Sequence, residues 1–219
     1  MFINTHTHHL SKESGQHPEL INCIVLHSEG LNNGWYSIGL HPWNINSSYS
    51  EQLTTVEHLA KKPNVLAIGE CGIDKLKGPS LEIQTEVFKL QIDLSEELHL
   101  PVIIHCVKAY SEIIKIRKQL QPKQAWIFHG FNAPKETMEQ ALKHGFYFSL
   151  GEAILKKNSK ASQTLPFIPH NRLFLETDNN PQLHIESIYE KASKLLNLES
   201  TQLQLIIQDN FKQLFNVNI

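Results

Sequence analysis

Cysteine is scarce in this chain. Its 219 residues hold three, Cys23, Cys71 and Cys106, an odd set with no CxxC spacing. That pattern excludes a disulfide scaffold and a thiolate zinc ribbon. Each cysteine lies in or beside an apolar run, so reduced, buried thiols are expected. Net charge is also small, about −2 from 20 Lys and Arg against 22 Asp and Glu. No field over the whole molecule draws polyanions, so any nucleic-acid contact must be local. No apolar run approaches the ~20 residues of a membrane span. The start, Met1-Phe2-Ile3-Asn4-Thr5-His6, has neither the charged n-region nor the apolar h-region of a secretory signal. The expectation is a cytoplasmic protein with no membrane partner. No internal repeat, low-complexity tract or interdomain linker is visible, which predicts one domain over residues 1–219, with 41% hydrophobic residues to build its core.

Histidine, by contrast, is abundant, with 13 residues, and several of them end short apolar runs. Apolar runs of this length read as buried strands. They fall at Phe2–Thr5, Ile21–His27, Trp35–Leu40, Val65–Glu70, Val102–Cys106, Ala125–Gly130, Phe146–Leu150 and Arg172–Asp178. Residues 11–20 and 28–34 read as loops. Helical spacing is predicted over 50–61, 80–98, 109–120, 134–144, 152–162, 183–196 and 200–215. Eight strands with helices between most of them predict a parallel (β/α)8 TIM barrel. The first two connections look too short for crossover helices, so that corner is expected to be abbreviated, with the extra C-terminal helix covering it. A doubly wound open sheet is the alternative.

In such a barrel the strand C-termini carry the chemistry. Here they read His6 and His8, His41, Glu70, His105, His129 and Asp178. His6 and His8 are two apart on an extended segment, so both imidazoles share a face and reach one ion. Glu70, flanked by Gly69 and Gly72, is the acid the histidines converge on; a strand-end carboxylate is costly to bury unless something positive meets it. Imidazole and carboxylate ligands without ordered cysteines suit a catalytic divalent or first-row metal ion rather than a structural thiolate site. Taken singly, each of these residues is as well explained as a hydrogen-bonded strand end. Their joint order along the chain is what carries the metal reading. The other histidines, His9, His17, His27, His58, His99, His144, His170 and His184, lack such placement and are expected to be surface or structural.

The segments Asn4-Thr5-His6-Thr7-His8, Gly39-Leu40-His41-Pro42, Gly69-Glu70-Cys71-Gly72-Ile73-Asp74, Pro101-Val102-Ile103-Ile104-His105, His129-Gly130-Phe131 and Glu176-Thr177-Asp178, in that order, resemble the TatD-type metal-dependent hydrolases (deoxyribonucleases) of the amidohydrolase superfamily. The resemblance runs from Ile3 to about Pro181. It implies a distorted TIM barrel holding two divalent ions, Mg, Mn or Zn. It gives one ion His6, His8, Glu70 and Asp178, and the other Glu70, His105 and His129, so that Glu70 is shared. It implies hydrolysis by a metal-activated water, with Asp178 the expected general base beside Glu70. His41, not a ligand in the family, is expected either near substrate phosphate or behind a metal ligand; Lys75, Lys108 and Asn132, just past strand ends, are the other candidate phosphate contacts.

The chain departs from the family pattern in places. Asn4 stands where the family has Asp, His129-Gly130-Phe131-Asn132-Ala133 replaces His-Cys-Phe-Ser-Gly, Lys75 replaces an aromatic, and Asn179-Asn180 delays the proline that follows the Thr-Asp turn. These changes spare every inferred ligand and fall on the substrate side. The expected function is therefore a phosphodiesterase or DNA exonuclease acting on single strands or ends. The alternatives are a hydrolase of a small phosphodiester, ester or C–N substrate, and a non-catalytic metal-binding barrel.

Overall fold

The structure is a computed structural model that describes residues 1–9, 17–24, 31 and 34–219. The expected loops over 11–16 and 28–33 lie mostly outside the described residues, as does the expected end of the second strand at 25–27, including His27. The strands are β1 (Asn4–Thr7), β2 (Glu19–Ile24), β3 (Trp35–Gly39), β4 (Val65–Asp74), β5 (Val102–Val107), β6 (Trp126–Phe128), β7 (Tyr147–Leu150) and β8 (Leu173–Leu175). They are hydrogen-bonded in chain order, and β1–β2, β3–β4, β4–β5, β5–β6 and β7–β8 pair in parallel. A parallel bridge from Thr7 to Asp178, just past β8, returns the sheet to its first strand. The fold is a (β/α)8 barrel. The helices are α1 (Tyr49–Ala60), α2 (Leu81–Leu98), α3 (Tyr110–Leu120), α4 (Lys135–Lys143), α5 (Lys160–Thr164), α6 (Ile185–Leu196) and α7 (Ser200–Phe215). No described helix is long and apolar enough to cross a membrane.

The chain falls into two compact units. In the unit Asn22–Phe128, β4 is buried along all ten residues. Two glycines make that possible. Gly69 and Gly72 have φ of +142° and +147°, and a Cβ on Gly72 would lie 2.1 Å from the His105 carbonyl oxygen on β5. They mark close approach of neighbouring backbones inside the strand rather than its end. β4 therefore runs past Glu70 to Asp74, and Glu70 is mid-strand, not at the strand end that the sequence suggests. Helix α2 starts at Ser80, whose hydroxyl accepts from the Ile83 amide, and buries Val87, Phe88 and Ile92. Its Gln91 side chain accepts from the Leu40 amide at 2.7 Å and donates to the Leu40 carbonyl at 3.1 Å, which fixes the segment after β3. A Gly72→Ala variant should lose about 3 kcal/mol or more, a fall in Tm on the order of 10 °C, because the positive φ and the β5 carbonyl both oppose a methyl. Thermal melts check this; an unchanged Tm would show that the β4–β5 approach is not rigid.

In the unit of Met1–Ile21 with His129–Ile219, the core is aromatic: Phe131, Phe146, Phe148, Phe174 and Phe211 are fully buried. The two last helices reach the residues just before β1; the expected abbreviated corner lies mostly outside the described residues. Tyr189 of α6 exchanges two 3.1 Å hydrogen bonds with the Ile3 backbone, and Gln208 of α7 donates to the Met1 carbonyl at 2.6 Å. Three sequence expectations need correction here. β1 includes His6 within it, and its first residue, Asn4, accepts from the Thr177 amide at 3.1 Å and donates to the Thr177 hydroxyl at 2.8 Å. β2 begins at Glu19, inside the expected loop. Residues 152–162 are not one helix: Asn158 takes φ +62°, and Ser159 caps a fresh start, giving a 3-10 turn at Glu152–Leu155 followed by α5.

Candidate metal centre

In the unit with both termini, β1 and the residues after β8 bring three nominated side chains together. Asp178 donates its amide to the His6 carbonyl and accepts from the His8 amide through its own carbonyl, both at 3.1 Å. This ladder carries the Asp178 carboxylate to 3.7 Å from His6 Nε2 and 3.4 Å from His8 Nε2. His6 is fully buried, while the Asp178 side chain keeps 45% exposure. Donor atoms of His6, His8 and Asp178 all lie within 4.8 Å of one another. The His129 ring lies 4.4 Å from that of His6. Behind it stands Glu176, fully buried: one carboxylate oxygen accepts from the Gly130 amide at 2.6 Å and lies 3.4 Å from His129 Nδ1. A carboxylate on Nδ1 leaves Nε2 as the ring's outward nitrogen, the arrangement that orients a histidine ligand.

The other unit holds a second set. Glu70, 3% exposed, lies 2.7 Å from His105 Nδ1 and 3.3 Å from His41 Nε2, and accepts from the Asn22 side-chain amide at 3.3 Å. Asn22 also accepts from the Glu70 amide at 2.9 Å, so the acid is held from both its backbone and its side chain. Donor atoms of His41, Glu70 and His105 lie within 4.8 Å of one another. His105 Nε2 lies 3.2 Å from Asp74, which also accepts from the Trp43 indole at 2.6 Å and the Leu76 amide at 2.7 Å. Burial pushes the Asp74 carboxyl up, but these bonds outweigh it, and its pKa falls below the ordinary aspartate value.

Each set, within its own unit, consists of imidazole and carboxylate donors within 4.8 Å of one another, which is donor chemistry fit for a divalent ion. Burying a carboxylate is costly unless positive charge meets it, and a cation held there would remove that cost. The thiols take no part. Burial raises Cys71 far above its usual value and pushes Cys106 up to about 12, so both are inert.

The candidate phosphate contacts are placed less favourably. Lys75 is ion-paired with Glu112. Asn132 accepts from the Ala161 amide at 2.9 Å at the start of α5. Lys108 is exposed at φ +54° just after β5. His41, by contrast, is drawn inward: its Nδ1 accepts from the Trp43 amide at 3.1 Å and its Nε2 faces Glu70.

Two acids gained no role from sequence, Asp74 and Glu176. Asp74 is four residues beyond Glu70 on one strand, so period-two alternation puts both on one face. That signal was available once β4 was seen to continue. Glu176 reads as an ordinary strand residue, and only the close packing of His129-Gly130 against it reveals its part.

Three comparisons bear on this geometry. A family model described as TatD related DNase matches residues 8–216. The chain is 31% identical over 198 residues to an uncharacterized metal-dependent hydrolase, YabD, of Bacillus subtilis, covering 83% of this chain and 77% of that one. It is 34% identical over 148 residues to the 3'-5' ssDNA/RNA exonuclease TatD of Erwinia tasmaniensis, covering 66% of this chain and 57% of the relative, which is less than two thirds of the relative's length. Among solved structures, the TatD homologue YJJV of Escherichia coli K12 superposes with a TM-score of 0.85 at 21% identity, over 99% of this chain and 98% of that one. A TatD-family hydrolase of Entamoeba histolytica gives 0.76 at 16% identity, over 98% and 97%. These two share the fold.

Proposed function

We propose, from the premise that the chain belongs to the TatD-related DNase family of metal-dependent hydrolases, that it hydrolyses phosphodiester bonds at the ends of single-stranded nucleic acid. The observation that carries the reading is the pair of donor sets, His6–His8–Asp178 and His41–Glu70–His105, each with its donors within 4.8 Å. His6, His8, Glu70, His105, His129 and Asp178 would hold two divalent ions, as the family resemblance implies. When bound, such ions supply Lewis-acid stabilisation of charge at phosphorus and lower the pKa of a water. The protein's own groups do the rest. Asp178, half exposed between two imidazoles, is the side chain able to take a proton from an incoming water. Asn22 fixes Glu70, and Glu176 fixes His129. The Erwinia relative's name, a 3'-5' ssDNA/RNA exonuclease, supports end-directed cleavage of single strands.

The second reading, a small ester or C–N substrate, draws support from Lys75 and Asn132, both committed to contacts within the protein. With Lys75 tied to Glu112, fewer phosphate contacts are expected. At about 0.7 per contact on single strands, the salt slope should be shallow, roughly −1 to −2. The test is cleavage of matched single-stranded, blunt-duplex and nicked DNA with Mg or Mn at two salt concentrations. Fast release of nucleotides from the single strand is expected. Equal rates on all three would refute strand-end preference, and turnover of a small ester or amide with no DNA cleaved would favour the second reading.

A further inference from the structure

Within the unit Asn22–Phe128 an aromatic residue, 46% exposed, stands at the edge of the Glu70–His105 set. This is Trp43, in the 3-10 turn Pro42–Asn44. Its indole N–H donates to Asp74 at 2.6 Å, and its ring meets His41 and His105 edge-on at 4.8 and 5.6 Å. The turn is held firmly. His41 caps the Trp43 amide, and a Cβ on Gly78 would lie 2.7 Å from the Pro42 carbonyl, so the loop after β4 packs against the turn. The Gln84 amide binds that loop at the Asp74, Lys77 and Pro79 carbonyls, at 3.0, 3.2 and 2.8 Å. The loop places the Lys77 ammonium 3.6 Å over the indole centroid.

A large aromatic pinned at its polar edge, nearly half exposed and topped, among the described residues, by the ammonium of a lysine is built unlike a core residue. Single-stranded nucleic acids are held by aromatic faces beside positive charge, because every base has a π-face and every linkage a phosphate. We infer that Trp43 is a stacking platform for one base of a single-stranded substrate, with Lys77 yielding the ring face to that base and pairing with an adjacent phosphate. The inference rests on the proposed nuclease reading and adds to it the place where a base is gripped. A lysine is well suited to the exchange: its compact, mobile ammonium makes a modest contact with the ring at an exposed site and gains more from a phosphate.

The test is a cycle between the ring and the base. Binding of oligo(dT) to the full chain is measured in calcium, with single abasic sites scanned through the strand. Wild-type cleavage of the same oligonucleotide in manganese is run alongside. At one position the abasic site should weaken wild-type binding roughly 5- to 150-fold, the range expected of one stacked base. Trp43→Ala should lose a similar factor and then be indifferent to the abasic site. Trp43→Phe, which keeps a ring but not the bond to Asp74, should retain most of the affinity and most of the abasic penalty. Oligo(dT) should quench wild-type fluorescence and quench Trp43→Phe less, since of the other two tryptophans Trp126 is buried and Trp35, half-buried, opens β3 at the end away from Trp43. Independent losses from base and ring would overturn the inference. So would a Phe variant as weak as the Ala variant, because the indole would then serve only to hold Asp74. If the wild type cleaves the oligonucleotide and the coupling is absent, the platform alone falls. If the wild type neither binds nor cleaves DNA, the nuclease reading falls with it.

Discussion

Glu70→Gln should leave a folded protein that binds at least one divalent ion fewer per chain and loses on the order of 10³-fold or more in activity. The substitution keeps size and shape and removes only the charge. Asn22 can still meet the side chain and still caps the backbone amide at 2.9 Å, so Tm should move by no more than a few degrees. What is lost is the carboxylate facing His41 and His105 at 3.3 and 2.7 Å, which no imidazole can replace as an anionic ligand. Elemental analysis of metal-loaded wild type and variant, with melting curves for each, decides the matter. Two ions still bound with activity intact would show that Glu70 has a structural part only. Loss of the fold in the variant would show instead that the carboxylate is needed by the Asn22 and histidine contacts before any metal binds.

The apolar runs of the sequence make the strands legible because each core strand buries nearly every residue, as β4 and β6 do. The candidate donors were legible by their order along the chain, and within each unit the structure brings several of them close: His6 with His8 and Asp178, and Glu70 with His105. What was not legible depends on packing. Gly69 and Gly72 look like breakers in a linear reading, yet they lie inside β4 because β5 approaches too closely for a Cβ. His41 looks like a rim residue held by Pro42, and its approach to Glu70 depends on how Gln91 fixes Leu40. Lys75 looks like a free cation until Glu112, 37 residues on, is seen beside it. Spacing along the chain reports faces of single elements; partners from other elements come only with the tertiary fold.

Glu176 gives the other large effect. It is fully buried, with one oxygen on the Gly130 amide and near His129 Nδ1. Its second oxygen is buried without a hydrogen-bond partner among the described residues. A buried acid so placed makes sense as the group that sets the His129 ring, and groups of this kind typically govern metal affinity by about 10- to 100-fold. Glu176→Gln keeps an acceptor for the Gly130 amide but offers His129 a neutral partner, so affinity for Mn or Zn should fall about 10-fold with the fold retained. Glu176→Leu removes the acceptor as well. It leaves the Gly130 amide unsatisfied, which costs about 1–3 kcal/mol of stability, and affinity should fall about 100-fold. Titration calorimetry of metal into stripped protein, alongside urea melts, separates the two losses. A Gln variant that binds metal like the wild type would mean that His129 keeps its orientation without a charge behind it, and that Glu176 serves the Gly130 turn alone.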